Sequence, residues 1–148
     1  MKSFALLGIV IALFSTSGAV SSAEIDAITG RYVYDSYKAT LRNGTSLSLR
    51  QLGAKSATLE ILPNMVLRME MRMLNGTSTV TKARILEIKT SELRGYFVAQ
   101  WPDMKSPVKE EFTVIPNGLK YIIHFTDPSD AMRYGGKEEA TLKRTDER

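Results

Sequence analysis

Cysteine is absent from the chain, and that absence closes several routes at once. There is no disulfide framework, no thiol nucleophile and no thiolate metal site. Histidine is nearly absent: His124 is the only one, so a histidine-based general base has a single candidate. No Gly-x-Ser-x-Gly elbow is present. No charge of one sign dominates either, with 20 Lys and Arg against 16 Asp and Glu, a net +4. The cations are scattered with Glu beside them, which speaks for a solvated surface and against a nucleic-acid stripe. The apolar run Phe4 to Phe14 falls short of the about 20 residues a membrane-spanning helix needs.

That run instead reads as the core of a signal peptide. Lys2 precedes it, Ser15 to Ala23 is small and weakly polar, and Ser21-Ser22-Ala23 fits a small-x-small cleavage site. The expected organisation is a leader over residues 1–23 and one domain over residues 24–148, with no membrane span left after cleavage. An earlier cut after Ala19 is the alternative. No cysteine follows the leader to be acylated, so a lipoprotein is excluded. An exported chain without disulfides points to a bacterial periplasm or medium rather than a eukaryotic secretory route. Removing 23 of the 148 residues leaves 125, and removing Lys2 takes the net charge to +3. A domain of that size can stand on its hydrophobic core alone.

The mature chain is punctuated by turns. Asn-Gly occurs at 43–44, 75–76 and 117–118, and Pro-Asn at 63–64 and 116–117. Asn-Gly is a strong hairpin signal because both residues tolerate positive φ. The two Asn-Gly-Thr sequons, at Asn43 and Asn75, are read as turns only. Between the turns apolar residues alternate with polar ones, the period of a half-buried strand. From Met65 to Met73, Met65, Leu67, Met69, Met71 and Met73 share one face, while Arg68, Glu70 and Arg72 share the other. A helix would mix the two sets. Further strands are expected over residues 31–41, 57–62, 80–89, 93–101, 111–115, 119–125 and 137–144. Residues 46–55 are ambiguous. Asp127-Pro128-Ser129-Asp130 is set to cap one helical turn running to Tyr134. The expected fold is all-β: a single antiparallel up-and-down barrel of about eight strands with at most one short helical turn.

Gly30-Arg31-Tyr32 opens the first strand, and a charged strand, Glu138 to Arg144, ends the domain. This layout resembles the small exported bacterial lipocalin-like barrels of the calycin type. Lipocalins begin with Gly-x-Trp, whose ring closes the barrel floor. Here Tyr32 stands in the place of Trp. A late Arg normally covers that ring, and Arg144 is the positional candidate. Thr126-Asp127 matches the start of the family's Thr-Asp-Tyr turn, but Pro128 replaces the aromatic. The resemblance implies a cup that holds a small apolar molecule.

The methionines are the most distinctive chemistry. Six remain after cleavage, and four lie within Met65 to Met73. Three readings stay open: core filler, a deformable wall for an apolar guest, and a soft-metal site for Cu(I) or Ag(I). For the guest, the expected lining is Leu67, Met69, Met71, Met73, Phe97, Trp101, Tyr121 and Phe125. For the metal it is Met69, Met71 and His124. Alternate side chains on one strand lie about 6.5–7 Å apart, which favours a cross-strand partner over a methionine pair. Parity, however, sets His124 with Lys120 and Ile122, away from Tyr121, Ile123 and Phe125. Trp101 and Met104 fall in a Pro-bounded loop, a common place for residues at a barrel mouth. Glu110-Glu111 and Glu138-Glu139 are strand neighbours and read as solubility charges.

No catalytic group and no cofactor are expected. The expected function is an exported binding protein with a small apolar molecule as partner. The alternative is a non-catalytic barrel that meets another envelope protein, and the third reading is Cu(I) binding. Interior volume separates the first two, because eight strands enclose a space that side chains can fill or that can hold one small ligand.

Overall fold

A computed structural model describes residues 22–130 and 135–146. The leader expected over residues 1–23 lies outside them up to residue 21. The last part of the helical turn expected to reach Tyr134 lies outside them as well.

Among the described residues one short helix is followed by nine strands, and residues 128–130 are also helical. The helix and the strands are α1 (Ser22–Asp26), β1 (Gly30–Thr40), β2 (Ser46–Leu47), β3 (Ala54–Leu62), β4 (Val66–Met73), β5 (Ser78–Ser91), β6 (Arg94–Gln100), β7 (Val108–Ile115), β8 (Gly118–His124) and β9 (Lys137–Arg144). From β3 onward each strand pairs antiparallel with the next. The long β1 closes the ring. Its first residues pair with β3, Gly30 facing Ile61, and the rest pairs with β9 from Tyr32–Arg144 to Thr40–Lys137. The result is a closed antiparallel barrel of eight strands, with the two-residue β2 added to the far end of β1. Closure leaves no long unpaired edge.

Alternation decides which face each side chain takes. On β3, Ala57, Leu59 and Ile61 are buried. On β7 the buried residues are Val108, Glu110 and Phe112, and on β9 they include Ala140 and Leu142. Three register shifts bend the walls, at Tyr34/Ser36, Ala54/Ser56 and Ile85/Glu87. Outside, Arg68 reaches Glu60 at 3.1 Å and Glu70 at 3.3 Å, while Lys38 and Lys137 both reach Glu139.

The turns differ in detail from the expectation. At Asn43-Gly44 and Asn75-Gly76 only the glycine takes positive φ. Each asparagine side chain instead accepts the backbone N–H of the threonine two residues on, at 2.9 and 3.0 Å. In the Pro63-Asn64 turn the left-handed residue is Met65 (φ 64°). At the third Asn-Gly, Asn117 is left-handed and Gly118 already belongs to β8. There a Cβ would lie 1.9 Å from the Leu142 carbonyl oxygen, so only glycine lets β8 approach β9 this closely.

One end of the barrel is shut. α1 and the residues after it place Ile25 and Ile28 among Leu59, Ile61, Leu67 and Ile88 in the core. The Tyr32 hydroxyl donates to the Ile28 carbonyl at 2.7 Å. Arg144 donates to the Tyr32 hydroxyl at 3.1 Å and to the Thr29 carbonyl, and its guanidinium lies 5.1 Å from the Tyr32 ring centre. Tyr32 and Arg144, which the lipocalin-like resemblance sets together, are in contact at this end of the barrel. Replacing Arg144 by Met keeps the apolar stem but removes these bonds and the cation over the ring. We expect a loss of about 1–3 kcal/mol in urea unfolding. An unchanged midpoint would remove Arg144 from the floor's support.

Candidate functional site

The other end of the barrel is hollow. The tops of β1, β3, β4, β8 and β9 enclose a cavity of about 230 Å³ together with the segment after β2 and the loop after β6. The contrast with the floor comes from side-chain size. Near the floor, Phe97 stacks on Phe112 at 5.8 Å and meets Tyr121 at 6.0 Å, filling the cross-section. Higher up, β3 offers only Ala54 and Ala57, beside Met71 and Met73 of the adjoining β4. The small alanines on this part of the wall leave space that the neighbouring methionines do not fill.

Of the eight residues expected to line a pocket, Met69, Met71, Met73, Trp101 and Tyr121 do so. Leu67 and Phe97 do not. Both are fully buried, on the same inward faces but nearer the floor, where the opposite walls touch. Phe125 is buried in the core and is likewise absent from the cavity wall. Period two assigns a face but not a height, so the expected lining mixed two layers of one interior.

The metal set is not brought together. Met69 and Met71 face the cavity, whereas His124 is exposed on the outer face opposite Lys137 of β9. Alternation alone enforces this, since His124 lies between the buried Ile123 and Phe125. Among the described residues, no three His, Asp or Glu side chains cluster as a metal site.

The site holds two carboxyl groups that were read from the sequence as solubility charges. Glu110 is completely buried. Its Oε1 accepts the Trp101 indole N–H at 2.6 Å, and its Oε2 accepts the Tyr121 hydroxyl. Burial pushes its pKa up to about 8, against the lowering effect of those two bonds. Glu138 is half-buried and lines the cavity. Burial raises it to about 7, against a bond from the Tyr37 hydroxyl. The signal for both was present in the strand period: Glu110 has the parity of Val108 and Phe112, and Glu138 that of Ala140 and Leu142. Only Glu111 and Glu139 face outward.

Three tyrosines complete the polar side of the wall: Tyr34, Tyr37 and Tyr121. Burial holds all three phenols protonated, far above their ordinary range, and the nearby carboxylates add to this. The Tyr34 hydroxyl points to the Met69 sulfur at 3.9 Å. The mouth is braced. Asp130 accepts the backbone N–H groups of Lys105 and Ser106, and Asp127 accepts the Ser106 hydroxyl while capping the turn at Ser129 and Asp130. Trp101 and Met104 are thereby held over the opening, as a Pro-bounded mouth loop was expected to hold them. Comparison with models of known protein families, with curated proteins and with solved structures finds no match for this chain.

The cavity has an apolar and a polar side. The buried polar groups bond to one another, and no buried side-chain nitrogen or oxygen among the described residues lacks a partner. Flexible thioethers and small alanines form the apolar side, and a carboxyl with phenols forms the polar side. Such a mixed lining is typical of small-molecule sites.

Proposed function

We propose that this chain is an exported, non-catalytic binding protein whose barrel holds one small, largely apolar molecule. The observation that carries the reading is a barrel solid at the floor and hollow at the mouth, with a cavity of about 230 Å³ there. An apolar cavity of about 150 Å³ is enough to bind benzene. One ring with a short chain therefore suits this one. The lipocalin-like kinship belongs to the same proposal, supported by Tyr32 and Arg144 meeting at the floor. Export rests on the leader features, and N-terminal sequencing of the mature protein should start at or near Glu24. An intact Met1 would refute it.

Trp101 is the single tryptophan and lines the cavity, so its emission reports on occupancy. Titration with 2-phenylethanol should give a saturable 1:1 change. Ala57→Phe puts a ring into the space and should abolish that change while the β circular dichroism persists. Absence of saturable binding, or binding indifferent to Ala57→Phe, would defeat the reading.

A second reading is a barrel that meets another envelope protein. It is favoured by Leu52 and Leu74 at the rim, 44% and 49% exposed and brought side by side by the Leu74 N–H to Gly53 carbonyl bond. Failure of the titration would promote it.

A further inference from the structure

The polar side of the cavity specifies more than an apolar guest. Resting on the reading of the cavity as a ligand site, we infer that its guest carries a protonated amine, with the ammonium facing Glu138 and the hydrocarbon body against Met69 and Met71.

Sign is the first argument. The chain is net positive, yet among the described residues the charged side chains lining the cavity are Asp103 and Glu138, both acidic. A carboxylate guest would meet repulsion there. A neutral guest would displace water from a half-buried carboxylate and return nothing for it. An ammonium supplies the missing counter-charge.

Availability is the second. Glu110 is fully buried with both oxygens engaged by Trp101 and Tyr121, so it is a fixture of the wall. Glu138 lines the space itself. Beside it, Tyr34 and Tyr37 form an edge-to-face pair with ring centres 6.1 Å apart. The faces of aromatic rings favour a cation over an anion.

The surroundings of Glu138 allow it to be charged when the guest is. The groups facing it are Tyr34 and Tyr37 from β1, Glu110 from β7 and Tyr121 from β8, with Asp103 on the mouth loop. None of these is a cation that would neutralise it before the guest arrives. Lys38 and Lys137 engage the outward Glu139 instead. Burial raises Glu138 to about 7, so an arriving ammonium meets a carboxylate above that pH and expels a proton from it below.

The test compares 2-phenylethylamine with 2-phenylethanol on the full mature chain, read by Trp101 emission at about pH 8, where an alkylammonium is still charged. The amine should bind at least about tenfold more tightly than the alcohol. In Glu138→Gln, with its fold checked by circular dichroism, the ratio should fall to near one. If that variant does not fold, the wild-type ratio at about pH 5.5, where Glu138 keeps its proton, should fall likewise. Equal affinities at pH 8, or a preference that survives both Glu138→Gln and low pH, would overturn the amine assignment and leave the apolar site standing. Binding of neither probe would overturn both.

Discussion

Phe97→Ala should destabilise the barrel by about 3–5 kcal/mol, whereas Met71→Ala should cost no more than about 1.5 kcal/mol. Both side chains face the interior, and a uniformly packed barrel would charge similar amounts for each. Phe97 has no exposed surface and is wedged between Phe112 and Tyr121 at 5.8 and 6.0 Å. Truncating it opens a void that neighbours cannot collapse into, because they are themselves ring-packed and backed by adjacent strands. Met71 is half-buried and already borders open space. A side chain facing a void has fewer partner atoms to lose. Urea midpoints at constant slope measure both. Equal, large losses would mean that the upper barrel is as tightly packed as the floor. The cavity reading would then fail with it.

Stability should fall as pH rises from about 4.5 to about 8, and Glu110→Gln should flatten that fall. The native chain keeps a proton on Glu110 up to about pH 8, while the unfolded chain gives it up near the ordinary carboxyl value of 4.5. Between those values the native state binds more protons, so raising pH favours unfolding. Each pH unit in that window removes up to about 1.4 kcal/mol per proton retained. Glu138 acts with the same sign over a shorter window ending near 7. Its share is smaller because the cavity gives it access to solvent. Asp127 and Glu139 have lowered pKa values and act with the opposite sign in more acid solution, outside this window. Glutamine at 110 retains an oxygen for the Trp101 N–H and offers an N–H to the Tyr121 oxygen, so the network can close without a charge. The variant should therefore be more stable than wild type at pH 9. A wild-type midpoint that stays level or rises from pH 5 to 8, or a variant with the same slope, would show that Glu110 is not held protonated by the fold.

The braced mouth also has a dynamic consequence. The loop carrying Trp101 and Met104 is tied by its backbone N–H groups to Asp130 and by the Ser106 hydroxyl to Asp127, and Gln100 donates to the Trp101 and Met104 carbonyls. Opening this loop also lifts Trp101 and Met104 from the core they pack with, yet local opening of that kind costs less than global unfolding.

The amino-acid sequence determined the strands. Period two placed eight of them close to their observed bounds and set the methionine stripe facing in and His124 facing out, and Asn-Gly or Pro-Asn ended the runs of β1, β3, β4 and β7. These are local properties, since alternation and turn chemistry need only neighbours along the chain. Glu110 and Glu138, read as solubility charges, turn inward instead, because β7 begins at Val108 and each shares the parity of buried neighbours on its strand. The two-residue β2 and the short α1 carried no periodic signal at all. What the tertiary structure alone decided is how high along the barrel each inward residue sits and what meets it from across the ring. Phe97 fills the floor because Phe112 and Tyr121 reach it from neighbouring strands. Met71 borders a cavity because its neighbour on the adjoining strand is the small Ala57. Glu110 is buried with its oxygens satisfied because strand register brings Tyr121, and the mouth loop brings Trp101, within bonding distance. Hollow or solid is a property of sums across non-adjacent strands, and no window along the chain contains that sum.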